Sequence, residues 1–112
     1  MYRIVAPRDF NNYELLCKYL DNIMIDADIK IITGGRKGID RLVERYCIER
    51  GYTLFFYIDE WLKYGRRAKM IVNREMVFNC DIVIAILTET YSYLVDMTLG
   101  YASNMKKLIY QV

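Results

Sequence analysis

Histidine is absent from this 112-residue chain, and proline and tryptophan each occur once, as Pro7 and Trp61. Without histidine there is no Ser-His or Cys-His dyad, and the commonest general base is missing. Any chemistry has to run on carboxylates, arginine, lysine, tyrosine or the ligand itself. The cysteines Cys17, Cys47 and Cys80 lie about thirty residues apart with no CxxC spacing. That pattern argues against structural zinc and a disulfide framework and leaves reduced cysteines in core positions. No metal site and no cofactor are therefore expected. Long apolar runs are missing too: none approaches the ~20 residues of a membrane helix. Arg3, Arg8 and Asp9 interrupt the N-terminal stretch, so no signal peptide is expected and the expected location is cytoplasmic.

Charge of one sign is also scarce. The formal net charge is only +2, which argues against a dedicated duplex-DNA binder. One local basic cluster stands out, Lys63, Arg66, Arg67, Lys69 and Arg74, enough to serve a single polyanionic ligand. With 54% hydrophobic and 27% charged residues, the composition is that of a folded domain, and the length suits one core rather than two.

The most informative stretch is Ile29-Lys-Ile-Ile-Thr-Gly-Gly-Arg-Lys-Gly-Ile-Asp40. A short β-branched run leads into Gly34, Gly35 and Gly38 and then into a helical segment opened by Asp40. Glycines remove the Cβ that would keep a phosphate off the backbone, and the first turn of a helix offers free N–H groups. The order strand, glycine turn, helix start is therefore a candidate anion site.

The rest of the chain alternates in the same way. Strands are expected at Tyr2–Ala6, Lys30–Thr33, Tyr52–Tyr57, Asp81–Leu87 and Lys107–Tyr110. The Asp81–Leu87 run is apolar enough for a central parallel strand. Helices are expected from an Asn11 or Asn12 cap to about Ile25, over Ile39–Arg50 with Gly51 as its stop, over Arg66–Asn79 with Met70 and Val77 inward, and over Tyr91–Met105. Asp59–Gly65 reads as an irregular loop or one helical turn. The alternation predicts a single α/β domain over residues 1–112, three layers deep, with a mostly parallel five-stranded sheet. Ligands in such folds sit beyond the carboxyl ends of the strands. Those ends carry Arg8, the Gly34–Asp40 turn, Asp59–Tyr64 and Thr88–Tyr93.

Five patterns occur in register: Arg8-Asp9-Phe10; Gly34-Gly35-x-x-Gly38-x-Asp40-Arg41-Leu42; Trp61-x-x-Tyr64-Gly65-Arg66-x-Ala68; Asn73-Arg74-x-Met76; and Asp81-Ile-Val-Ile-Ala85. Together they resemble the YspA-type family of the SLOG superfamily from about residue 3 to residue 87. That superfamily also includes the LOG-type phosphoribohydrolases and DprA. The resemblance implies a Rossmann-like fold that binds a nucleotide or nucleotide-derived ligand at the strand ends. It also implies an association with bacterial or phage defence and pairing of subunits through helices. The tyrosine-rich last helix, with Tyr91, Tyr93 and Tyr101, is the expected place for a homo-oligomer contact.

The chain also departs from its relatives. Ala6-Pro7 replaces a Gly-Ser, Val72 stands where an arginine is usual, and Glu89-Thr-Tyr-Ser-Tyr93 replaces a second loop of Gly-Gly-x-Gly-Thr type. In LOG-type enzymes that second loop serves phosphate binding and catalysis.

The candidate ligand-binding residues are accordingly Arg8, Gly34, Gly35, Gly38, Asp40, Trp61, Arg66, Asn73 and Arg74. Asp40 is either a helix-dipole cap or a ribose contact, and Trp61 is either a core plug or a base-stacking ring. The leading expectation is a module that senses or sequesters its ligand. The alternative is an N-glycosidase for nucleoside monophosphates with Asp40, Glu89 or Asp96 as its carboxylate. A single-strand nucleic-acid protein of DprA type is the third reading.

Overall fold

The computed structural model describes residues 1–25 and 28–112. Five strands, β1 (Tyr2–Val5), β2 (Lys30–Thr33), β3 (Thr53–Phe56), β4 (Ile82–Ala85) and β5 (Leu108–Gln111), form one sheet in the order β3-β2-β1-β4-β5. Every neighbouring pair is parallel, so the sheet expected as mostly parallel is entirely so. The central position of β1 and β4 explains their composition: β1 is buried along its whole length, as are three of the four β4 residues. The edge strands β3 and β5 are largely exposed.

Helices α1 (Tyr13–Ile23) and α2 (Ile39–Arg50) belong to one face of the sheet. There Ile4, Leu16, Leu20, Ile31, Val43 and Tyr46 share a core. After β3 come a single helical turn, α3 (Trp61–Tyr64), a 3₁₀ turn at Gly65–Arg67 and α4 (Ala68–Asn79). Helix α5 (Tyr93–Asn104) completes the second face, where Val5, Ile32, Val72, Met76, Val83 and Val95 form the other core. The result is the three-layer α/β sandwich of a Rossmann-like fold.

Local chemistry sets the helix boundaries. Asn12 caps α1 by accepting the Leu15 N–H at 3.0 Å, and Ser92 caps α5 by accepting that of Val95 at 3.2 Å. Helix α2 stops at Gly51, which takes the left-handed conformation at φ 70°. Two expectations shift. The helix expected from Arg66 starts at Ala68, because Gly65–Arg67 winds as a 3₁₀ turn. Its buried stripe is then Ala68, Val72 and Met76, spaced by four. Met70, two positions beyond Ala68 and so about 200° around the helix, points outward and is 39% exposed; Val77 is buried as expected. The three cysteines are unpaired, with Cys47 and Cys80 buried, and burial pushes the Cys47 thiol up to about 11.

Helices α1 and α2 are joined by a polar staple rather than by apolar contact alone. Arg50 grips Asp21 with both Nε and Nη2, at 2.8 and 2.9 Å, and the Tyr46 hydroxyl donates to the same carboxylate at 2.6 Å. Beside it the Tyr13 hydroxyl donates to Glu49 at 2.7 Å while Arg45 lies over the Tyr13 ring at 3.9 Å. The Arg50 hydrogen bonds, then the Tyr46 one, hold the Asp21 carboxyl below its usual range. Glu49 is lowered as well, first by Tyr13 and then by Arg45. A depressed folded-state value contributes stability above the unfolded value and loses it as pH falls through the folded one. Stability should therefore decline as pH drops below about 4. Asp21→Asn should cost about 1 kcal/mol at neutral pH and flatten that acid limb. Thermal melts of both proteins from neutral to acid pH check this; an acid limb unchanged in the variant would remove Asp21 as its source.

Candidate functional site

The glycine turn lies at the carboxyl end of β2, as the sequence predicts. Gly35 and Gly38 have φ of 68° and 80°, a region side chains disfavour. Gly38 is also the N-cap of α2, and no side chain caps that end. Its carbonyl accepts the Arg41 N–H at 3.1 Å. Among the described residues no acceptor meets the backbone N–H of Lys37 or Gly38, and those of Ile39 and Asp40 are free by helix geometry. The turn thus ends in a small concentration of unpaired donors at the positive end of a helix dipole.

Asp40 does not face this opening. Its carboxylate is buried and takes a salt bridge from Arg3 at 2.9 Å, with side-chain exposures of 2% for Arg3 and 4% for Asp40. The other oxygen accepts the Arg36 N–H at 3.3 Å. Arg3 comes from the middle of the central strand, where an apolar residue would be ordinary, and its Nη1 also donates to the Ile4 carbonyl at 3.2 Å. The pair fixes the glycine turn from beneath. It also explains Gly34, where a Cβ would lie 3.1 Å from Asp40 Oδ2 and 3.4 Å from Met76 Cε.

Arg36 ties the turn sideways. Its Nη2 donates to Asp59 at 2.8 Å and to the Lys69 carbonyl at 3.3 Å. That draws the segment bearing Trp61 and Arg66 toward the turn. Trp61 is 59% exposed, so it is not a core plug, and Arg66 is exposed in the 3₁₀ turn. Phe56, at the end of β3, was not singled out from sequence. It is 54% exposed, and its ring would meet a Cβ on Gly35 at 3.5 Å. An exposed aromatic therefore stands beside the glycine turn.

The other candidates lie elsewhere. Asn73 is fully buried and bonds to Thr98 on α5, its Nδ2 donating at 3.0 Å while Thr98 Oγ1 donates on to the Leu94 carbonyl at 2.7 Å. It pins α4 to α5 and reaches no surface. Arg74 lines a groove on the outer side of α4 with Ile71, Glu75, Phe78 and Met105. Arg8 is exposed after β1, and no contact ties it to the glycine turn among the described residues. Its neighbour Asp9 accepts from Thr90 Oγ1 at 2.6 Å, linking the loops that follow β1 and β4. The Asp96 carboxylate nearby raises the Tyr91 phenol above its usual range. Glu89 is exposed.

An all-parallel sheet in this strand order, with a glycine turn opening α2, defines a Rossmann-like α/β protein with an anion-competent strand edge. Residues 4–64 match the YspA, cpYpsA-related SLOG family, more than half of the chain, and the chain belongs to that family. Membership supports a nucleotide-related ligand-binding or glycosidase-like role in general. No curated protein and no solved structure matches the chain. Among the described residues no cluster of acids and cysteines is placed to hold a metal, and no helix is long and apolar enough to cross a membrane.

Breaking a buried ion pair strands a charge and costs about 3 kcal/mol or more. Asp40→Ala should therefore lower stability by roughly that amount, whereas Lys37→Ala, on the exposed rim of the same turn, should stay within about 0.5 kcal/mol of the parent. Urea denaturation distinguishes them; an Asp40→Ala cost no larger than the Lys37→Ala cost would show that the pair does not anchor the turn.

Proposed function

We propose that the chain binds a nucleotide or nucleotide-derived ligand at the carboxyl edge of β2 and β3 and holds it without cleaving it, as a sensor or sequestering module. The observation that carries this reading is the uncapped start of α2. The N–H groups of Lys37, Gly38, Ile39 and Asp40 have no acceptor among the described residues at this positive dipole end, and Lys37 is exposed in the same turn, which suits a phosphate. Gly38, where a Cβ would stand in open space, and Gly35, beside Phe56, let the ligand approach the backbone. Arg66 adds a second cation from the segment tethered by Arg36, and the exposed rings of Phe56 and Trp61 offer faces for a base. Neither Asn73 nor Arg74 belongs to the site on this reading.

The glycosidase alternative needs a free carboxylate beside the ribose to stabilise an oxocarbenium-like centre. Most acids near this edge already have partners. Asp40 is neutralised by Arg3, Asp59 by Arg36, Asp9 accepts from Thr90, and Asp96 lies beside the Tyr91 phenol, whose ionisation it disfavours. Glu89 remains, exposed to water, where a carboxylate is least able to act as a desolvated catalytic group. This arrangement favours holding over hydrolysis.

The test is mass spectrometry of the protein after incubation with nucleoside monophosphates, cyclic oligonucleotides and NAD-derived cyclic nucleotides. An intact ligand should be retained and released on denaturation, and Lys37→Glu should weaken its binding at least about tenfold by placing a negative charge beside the phosphate. Free base with ribose phosphate in the filtrate would instead establish a hydrolase and make Glu89→Gln the variant to measure.

A further inference from the structure

Helix α4 has a second face. Inward it buries Ala68, Val72, Asn73, Met76 and Val77. Outward, Ile71, Arg74, Glu75 and Phe78 follow at steps that place them on one side of a helix. With Met105 from the end of α5 they line a groove of about 290 Å³. Phe78 is 66% exposed, and its only ring contact among the described residues is the Lys107 ammonium, 5.8 Å from the centroid, so most of its apolar face stays open to water. Ile71 and Glu75 also border a shallow depression that includes Ile58, itself 76% exposed. The apolar surface therefore continues from Ile58 past Ile71 to Phe78 and Met105.

The charges in the middle of this face have no salt-bridge partner among the described residues. Glu75 contributes only weakly to keeping Lys63 charged, behind the closer Tyr64 and Glu60. The order along the helix is apolar, cation, anion, apolar. Turned end for end about the midpoint between Arg74 and Glu75, the face is complementary to itself. A second α4 laid antiparallel at that point sets Ile71 against the partner's Phe78 and Arg74 against the partner's Glu75, and each contact occurs twice. Such reciprocity is the requirement of a twofold interface.

We propose that the outer face of α4 is the interface of a symmetric homodimer of this chain, centred on reciprocal Arg74–Glu75 pairs flanked by Ile71 and Phe78. A lipid surface fits less well, because the central charges cancel. The location differs from the tyrosine-rich α5, whose exposed Tyr91 and Tyr93 lie at its opposite, amino-terminal end. The contact is one helix face with additions from Ile58 and Met105, smaller than the roughly 800 Å² per partner of a standard interface. The dimer should accordingly dissociate in the micromolar range.

Sedimentation velocity or light scattering over about 5 to 200 µM protein reads this directly. The parent should pass from monomer to dimer with concentration. Arg74→Glu and Glu75→Arg should each weaken dimerisation more than about tenfold, since each sets like charges face to face. An equimolar mixture of the two variants should re-form a dimer, because every opposed pair is then of opposite sign. The double variant R74E/E75R should dimerise on its own for the same reason. Both changed positions are exposed, and circular dichroism confirms that each variant remains folded. A parent that is monomeric throughout overturns the proposal, as does a dimer indifferent to the single changes or a mixture that fails to re-form.

Discussion

An arginine in the central strand of a parallel sheet is an expensive choice of residue, since taking a guanidinium out of water costs several kcal/mol unless a counter-charge meets it. Here Asp40 meets Arg3 at 2.9 Å. The arrangement determines three other features. Asp40 has to enter the protein from the first turn of α2, so the start of that helix is fixed in angle and height over the sheet. The carboxylate's second oxygen takes the Arg36 N–H, which shapes the turn. Gly34 is tightly packed against that oxygen, which lies 3.1 Å from where a Cβ would be, so any side chain there would have to push Asp40 aside by a few tenths of an ångström. A turn that by composition ought to be loose is held on a rigid base, which is what a pre-organised anion cradle requires.

The features legible in the sequence are those written locally. Asn12 as a cap, Gly51 as a stop and the Asp81–Leu87 run as a buried strand each depend on residues within a turn or two of one another, and each is found. The parallel sheet follows from the alternation of such elements. The features that escaped depend on distant partners. Asp40 could be read as a cap or a ribose contact, and nothing within 37 positions announced Arg3 as its counter-ion. Asn73 fits a family motif, yet its amide is spent on Thr98, 25 residues on. Phe56 looked like one more strand residue, because alternation does not say that β3 would be an edge. Met70 was misplaced by phase: a 3₁₀ turn ahead of α4 moved the helix start, and with it the buried stripe.

The family match ends at Tyr64, and the character of the chain changes near the same point. Up to there lie the glycine turn and its anchoring pair. Beyond it, Val72 is packed with Met76 and Val95 in the second core. Val72 adds apolar volume beneath α4. Asn73, turned toward α5, adds a polar group on the same side. The inner face of α4 is thus given over to packing, which leaves only its outer face for charge.

This redistribution bears on where a ligand can sit. In folds of this order the usual crevice opens between β1 and β4, where the strand order reverses. Here the loops leaving those two strands are joined across it by Asp9 and Thr90, and the loop after β4 carries no arginine or lysine from Thr88 to Tyr93. Arg8 is the one cation in the loop leaving β1, whereas Lys37, Arg66, Arg67 and Lys69 follow β2 and β3 in the chain, with Arg36 there already paired to Asp59. An anion follows the field, and the field is set by which loops hold charge rather than by topology alone. On the proposed function, a phosphate-bearing ligand would accordingly sit over β2 and β3, beside Phe56, rather than in the crevice that topology alone would select.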